Sequence, residues 1–172
     1  PYYQYSPVGA DWTFSSGSGI SRNEIQWAFT PVDPPEGNQN AFLQGATSIE
    51  QAVSGLEIGA IYSVRWAHMN RTGGASLGVN DLTVELIDPA ASVLTVFSDD
   101  YVDETDWQYV TSAPFIATSE EYTLRFRTTN PVGGDDSTLI DDVSLDVASP
   151  MATNTSEFSA AFAAGPLIEA PA

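Results

Sequence analysis

The sequence has no cysteine and no lysine, and His68 is its only histidine. The absence of cysteine excludes disulfides and thiolate metal sites. Five arginines stand against 23 acidic residues, which gives a formal net charge of −18. Such a chain cannot neutralise a run of phosphates, so nucleic acid is a poor partner. No apolar run approaches the ~20 residues of a membrane span, and an anionic membrane surface is disfavoured because the chain is acidic.

The acidic balance favours divalent cations as partners, because hard cations take carboxylate oxygens as ligands. It is equally typical of a protein from a salty habitat, so charge alone indicates no function. At 172 residues the chain is long enough for one domain with a sizeable core.

Apolar residues alternate with polar or small ones along most of the chain, and turn residues are frequent. The stretch 61–69, for example, places Tyr62, Val64, Trp66 and His68 on one face of a strand. The pattern predicts about eight or more strands and no helix up to Val147, which is typical of an antiparallel β-sandwich or jelly roll. Residues 1–147 are therefore expected to form an all-β sandwich domain.

Two further segments follow this predicted domain. Residues 148–164 are rich in Ala, Ser and Thr, and we expect a linker that packs in part. Phe158 and Phe162 would also suit a short helical turn on the sandwich. Residues 165–172 (GPLIEAPA) hold a short apolar piece between two prolines, which is typical of a strand.

Several segments in a fixed order carry a family pattern: Ala10–Phe14 with Gly17–Ile20, Pro35–Gly37, Ala41–Gly45, Ser48–Leu56, Gly59–Tyr62 and Asp141–Leu145. Together they resemble the galactose-binding-like β-sandwich of carbohydrate-binding modules from exported bacterial proteins. The resemblance implies an antiparallel jelly-roll sandwich, an extracellular or cell-surface location, and a polysaccharide as partner.

The family opens with a strand of the type Asn-Gly-x-Phe-Glu-x-Pro, which is missing before the aromatic-rich start of this chain. The segment 165–171 looks like that opening, with Ile168 in place of the Phe. Four interpretations stay open. Leu167, Ile168 and Glu169 complete the sandwich of the next copy, or the chain is one period of a tandem array. Otherwise the tail folds back on its own domain, as in a circular permutant, or the likeness is accidental.

Alternation counted along the closing strand puts Asp141 in register with Val143, Leu145 and Val147, and so predicts that it points inward at the sandwich rim. A carboxylate there is costly unless it is paired or bound to a cation. The resemblance implies a structural Ca²⁺ held by Asp141 and by the glutamate of the opening strand, here Glu169. The alternative is an Asp141 that accepts hydrogen bonds from backbone amides at a β-bulge.

No pattern points to catalysis. No pair of carboxylates is placed as a glycosidase requires, and no serine sits in a nucleophile elbow. We expect His68 to be a core or rim side chain rather than a base, so an enzyme is not expected. The acidic run 98–106 is interpreted as a solvated loop, with a second cation site as the alternative.

Sugar binding requires exposed aromatic rings flanked by hydrogen-bonding side chains. Trp12, Trp66 and Trp107 lie in strand patterns and are predicted to be core residues. Trp27 is the best candidate platform, and Arg71 is predicted to lie at a loop rim where it could contact a glycan. The early tyrosines either bind sugar or cover an incoming strand.

Two functional hypotheses follow. The first is a non-catalytic extracellular structural subunit that forms a homopolymer, a filament or array, by donating its C-terminal strand. The alternative is a glycan-binding module of a polysaccharide-active or cell-surface protein.

Overall fold

The computed structural model describes residues 3–22, 33–71 and 78–148. Within these ranges the chain forms twelve β-strands and no helix, so no described element could span a membrane as a helix. The strands are β1 (Tyr3–Tyr5), β2 (Thr13–Phe14), β3 (Ser18–Arg22), β4 (Gln39–Gln44), β5 (Thr47–Ser54), β6 (Ile61–Asn70), β7 (Asn80–Ile87), β8 (Val93–Val102), β9 (Gln108–Thr111), β10 (Phe115–Ile116), β11 (Glu121–Thr128) and β12 (Ser137–Val147).

The strands form two sheets, and every pairing between them is antiparallel. The larger, seven-stranded sheet runs β1-β3-β4-β12-β6, and beyond β6 both β9 and β10 pair with it. The smaller sheet runs β2-β5-β11-β7-β8. The predicted all-β jelly-roll sandwich is confirmed.

The main core lies between the two sheets and is built by the alternation seen in the sequence. Tyr62, Val64, Trp66 and His68 of β6 are all buried, as predicted. The Trp66 ring lies 6.0 Å from that of Phe126 on the opposite sheet, edge to face. Burial of each large apolar side chain of this kind contributes about 1.5–3 kcal/mol to folding.

A second, smaller cluster lies on the outer side of the larger sheet. Phe42, Met69 and Leu139 are fully buried there, and Trp107 packs against them. Gly19 pairs with Phe42, and a Cβ at this position would overlap a backbone carbonyl and come within 2.7 Å of the Phe42 ring. Only glycine therefore fits beneath this aromatic side chain.

Strand β12 contains a bulge that changes its alternation. Asp141 lies opposite Ala67 and Ser144 opposite Arg65, so β12 has one extra residue between these pairs. Asp142 has a φ of 47°, a left-handed conformation that Asp tolerates better than most residues. Val143 and Leu145 pack against the main core, whereas Asp141 shares the alternation of Leu139. The prediction that Asp141 shares the inward register of Val143, Leu145 and Val147 is wrong, because it counted through this bulge.

Several predictions fall outside the described residues. Trp27 does so, as do residues 149–172 with the linker and the tail strand Leu167, Ile168 and Glu169. The domain boundary after Val147 and the role of the tail therefore stay predictions.

Candidate functional site

The outer side of the larger sheet carries a row of exposed or half-buried side chains on β9, β6 and β12. Arg65 lies opposite Thr111 and Ser144, and Ala67 lies opposite Tyr109. Residues directly opposite each other on antiparallel strands project from the same face. Because Val64 and Trp66 belong to the inner core, this row faces outward. We call it the Tyr109 face, and it consists of Tyr109, Arg65, Thr111, Ser144 and Asp146.

Tyr109 is 66% exposed, and its flat ring can serve as a stacking platform. Arg65 is also exposed, and its side chain makes no hydrogen bond or ion pair with the described residues. On the neighbouring strand Ser144 donates a hydrogen bond to Asp146 Oδ2 at 2.7 Å. The face thus combines an open aromatic ring with guanidinium donors and hydroxyl and carboxylate acceptors.

The outer side of the smaller sheet is also charged, but its charges satisfy one another. Glu85 lies between two arginines, with Arg125 Nη2 at 2.6 Å and Arg127 Nε at 2.9 Å from its oxygens. Burial alone would raise the pKa of Glu85, but the hydrogen bonds from Arg127 and Arg125 outweigh it, and the pKa is lowered. Glu50 lies 3.6 Å from Arg125 and completes the network.

Asp141 is half-buried and borders a groove at the sandwich rim. The backbone N–H of Glu36 donates to its Oδ2 at 3.0 Å, which agrees with the alternative prediction of an aspartate bonded to backbone amides at a bulge. Burial raises the pKa of Asp141, backbone hydrogen bonds from Glu36 and Asp142 partly offset this, and the carboxylates of Glu36 and Asp142 raise it again.

The predicted Ca²⁺ site can be tested against these residues. Glu36, Asp141 and Asp142 all line one groove, and their carboxylates are the hard oxygen ligands that Ca²⁺ takes. The chemistry of these side chains suits the ion, but the described ligand atoms that converge within 4.8 Å of one another are those of His68, Asp99 and Glu104 instead. The second predicted ligand, Glu169, lies outside the described residues, so the pair Asp141 and Glu169 stays a prediction.

Arg71 is not placed as predicted. It follows β6, but it is buried at 4% exposure. Its Nη2 lies 3.0 Å from Asp135 Oδ2 and also donates to the Asp135 carbonyl oxygen. The guanidinium therefore ties two loops together and is not exposed for a glycan.

The acidic run 98–106 is also more ordered than the predicted loop, because β8 continues to Val102, which is fully buried. Asp99 and Glu104 come close to buried His68, with one ligand atom from each of the three within 4.8 Å of the others. No pattern of residues predicts this long-range contact, although the strand pattern of β8 continues into the acidic run.

The hydrogen bonds of His68 decide what this cluster can do. The Trp66 indole N–H donates to His68 Nδ1 at 2.9 Å, so the neutral ring carries its proton on Nε2. Neither ring nitrogen then offers a free lone pair to a metal. Burial lowers the pKa of His68, and the carboxylates of Glu104 and Asp99 offset this in part.

The predictions for the aromatic residues have different outcomes. Trp66 is a core residue, Trp12 packs half-buried against the core, and Trp107 packs on the second cluster. Tyr3 and Tyr5 are partly exposed, and the Tyr5 ring lies 5.1 Å from that of Phe42. Trp27 lies outside the described residues. Sequence reasoning missed Tyr109 and Arg65, whose neighbourhood depends on the pairing of β9 with β6.

Comparison with known proteins gives similarity of fold only. No protein-family model matches the chain, and no curated protein matches its sequence. Among solved structures, it is similar to the CBM22-1 xylan-binding domain of Paenibacillus barcinonensis Xyn10C, with 13% identity, a TM-score of 0.57, and 86% of this chain and 92% of that chain covered.

Two further structures have comparable similarity. TmCBM61 in complex with β-1,4-galactotriose has 11% identity, a TM-score of 0.56, and coverage of 81% and 90%. The K2 cleaved adhesin domain of Lys-gingipain has 12% identity, a TM-score of 0.57, and coverage of 83% and 94%. The chain therefore has the β-sandwich fold of carbohydrate-binding modules, as the sequence resemblance implied.

Proposed function

We propose that this protein is a non-catalytic glycan-binding module and that it binds through the Tyr109 face. The observation that carries the proposal is an exposed tyrosine ring beside an arginine that has no partner among the described residues. An exposed aromatic ring offers a π-face on which the C–H face of a sugar can stack. Arg65, Ser144 and Asp146 supply donors and acceptors for sugar hydroxyls.

The charge of the chain restricts the class of glycan. A net charge of −18 repels polyanionic polysaccharides over the Debye length of about 8 Å at physiological salt. A neutral polysaccharide is therefore the favoured ligand. The xylan-binding and galactotriose-bound neighbours of the same fold support a β-linked neutral chain as the first ligand to try.

Affinity gel electrophoresis with neutral polysaccharides such as xylan and β-1,4-galactan tests this proposal. We expect retardation of the unmodified protein and at least a tenfold weaker affinity for Tyr109→Ala, which corresponds to about 1.4 kcal/mol. Tyr101→Ala is the matched control, because Tyr101 is 57% exposed but lies on β8 of the other sheet. Equal retardation of both variants, or no retardation of the unmodified protein on any neutral glycan, would contradict the proposal.

A second candidate function is self-assembly outside the cell. We propose that Leu167, Ile168 and Glu169 complete the sandwich of the next copy, so that the chain is the subunit of a filament or array. The open edge of β12 favours this candidate, because residues 144–147 pair only with β6 among the described residues. Light scattering of the full chain should show large assemblies that vanish when residues 165–172 are deleted. Unchanged oligomers after the deletion would rule it out.

Calcium would be a structural partner of this strand. We propose that Asp141 and Glu169 hold one Ca²⁺ ion, which would offset the repulsion between two carboxylates. A chelator should then lower the melting temperature of the unmodified protein but not that of Asp141→Ala. If the chelator leaves the melting temperature of the unmodified protein unchanged, the protein has no such site.

A further inference from the structure

Two strand edges are open at the same corner of the sandwich. On β12, residues 138–140 pair with both β4 and β6, but 144–147 pair only with β6 among the described residues. On β5, the short β2 pairs with Ile49 and Glu50, so residues 51–54 pair only with β11 in the described part of the chain. Each edge leaves backbone N–H and C=O groups without a strand partner there.

A groove lies between these two edges. It consists of two cavities of about 380 Å³ each, both of which are lined in part by Gln51. Several apolar residues in its wall pack against the main core yet stay only half-buried: Trp12, Phe14, Val53, Val143 and Leu145. The core therefore reaches the surface along this groove.

Apart from the bulge at Asp142 and the charge of Asp146, the β12 edge lacks the features that normally protect an edge in the described part of the chain. Native edge strands are blunted by charged residues, Pro, bulges, shortness or a covering segment. From Val143 to Val147 this edge carries alternating apolar residues and neither lysine nor proline. An apolar edge beside an exposed core is a template for another strand.

We propose that the tail segment Leu167–Glu169 occupies this groove as an additional β-strand paired with residues 143–147 of β12. The segment is apolar enough to cover the groove. Pro166 and Pro171 lack a backbone N–H, so they limit the added strand to about four residues, which suits the open part of β12. The free stretches of β12 and β5 each have four residues, and β12 is the edge beside which both Val143 and Leu145 are half-buried.

Alternation fixes which tail residue faces the groove. Ile168 and Ala170 lie on one side of such a strand, and Leu167 and Glu169 on the other. With Ile168 in the groove, Glu169 lies toward the outer side of the sheet. Asp141 shares the alternation of Leu139 on that same outer side. One orientation therefore both covers the core and brings the two carboxylates to one face.

Chain length allows the segment to reach its own sandwich or that of another copy. A flexible chain as long as the segment 149–164 would span about 22 Å. The inference underlies the second candidate function but does not require it, since the same segment can arrive in either way.

Hydrogen exchange of the full chain and of a chain lacking residues 165–172 tests the inference. We expect the amides of 143–147 to exchange at least tenfold more slowly in the full chain, because the added strand protects them. Residues 123–127 of β11, which pair on both sides, are the internal control and should not change. Equal exchange at 143–147 in both chains, or protection confined to 51–54, would overturn the inference.

A pair of tail variants sharpens the test. Ile168→Asp should remove the protection of 143–147, whereas Leu167→Asp, on the opposite side of the same strand, should keep most of it. The reverse order would overturn the proposed orientation. Light scattering of the same samples separates the two proposals. A monomer with protected amides at 143–147 supports binding of the tail in the groove and contradicts assembly into a filament. Glycan retardation of the truncated chain measures the first proposed function independently.

Discussion

The two outer faces of the sandwich both carry charge, but they use it differently. On the smaller sheet, Glu85 is nearly buried and bonded to Arg125 and Arg127. On the larger sheet, Arg65 is exposed beside Tyr109 and has no partner among the described residues. Paired charges hold strands together, while an exposed charge without a partner is available to a ligand. We infer that the first face serves stability and the second serves recognition.

Among the changes that test this comparison, removal of the Glu85 carboxylate should have the largest effect on stability. We expect Glu85→Ala to lower the free energy of unfolding by about 2 kcal/mol, because it leaves two arginines without their buried partner. The loss stays at this level because both arginines are partly exposed and can turn to solvent. Urea denaturation measures it. Glu50→Ala is the control and should change stability by less than about 0.5 kcal/mol; equal losses would show that burial of Glu85 is unimportant.

The pH dependence of the same network gives a smaller effect. The pKa of Glu85 is lowered from its ordinary value of 4.5, so its contribution to stability is full above that value and is lost as the pH falls through the folded pKa. The stability difference between the unmodified protein and Glu85→Gln should therefore be constant above about pH 5.5 and shrink below about pH 4.5. Urea midpoints measured from pH 7 to pH 3 give this difference.

The contribution of Asp141 to stability should depend on pH in the opposite direction from that of Glu85. Its pKa is raised above 3.8, so its ionised form costs stability above the folded pKa, and acid relieves that cost. With a chelator present to remove Ca²⁺, the advantage of Asp141→Asn over the unmodified protein should thus be greatest near neutral pH and disappear in acid. Parallel pH profiles for the Glu85 and Asp141 variants would contradict both assignments.

The sequence predicted what depends on local alternation. The buried face of β6 and the alternation of β11, in which Tyr122, Leu124, Phe126 and Thr128 are buried, follow from period-two patterns. The ordered family motifs led to the sandwich fold, which the structure confirms. Such patterns are visible in a sequence because each strand has one face toward the core.

The sequence could not predict what depends on register or on distant pairing. The bulge at Asp142 places Asp141 on the opposite side of the sheet from the one predicted. No residue type in the sequence indicates such an extra residue. Arg71 is buried by Asp135, 64 residues away along the chain. Tyr109 and Arg65 become neighbours only because β9 adds to β6. Each of these positions is set by long-range contacts that a pattern of single residues does not contain.

The smallest expected change in stability belongs to Arg65, and it separates the two faces most directly. Arg65→Ala removes no hydrogen bond to the described residues, so it should change the free energy of unfolding by less than about 0.5 kcal/mol. It should still weaken retardation on the neutral glycan severalfold, because it removes donors beside the Tyr109 ring. Arg127→Ala on the other face is the matched variant, with a clear loss of stability and unchanged retardation. Only a substitution on the face that contacts the ligand can change affinity without changing stability. If Arg127→Ala weakened glycan binding and Arg65→Ala did not, the glycan would therefore bind to the smaller sheet.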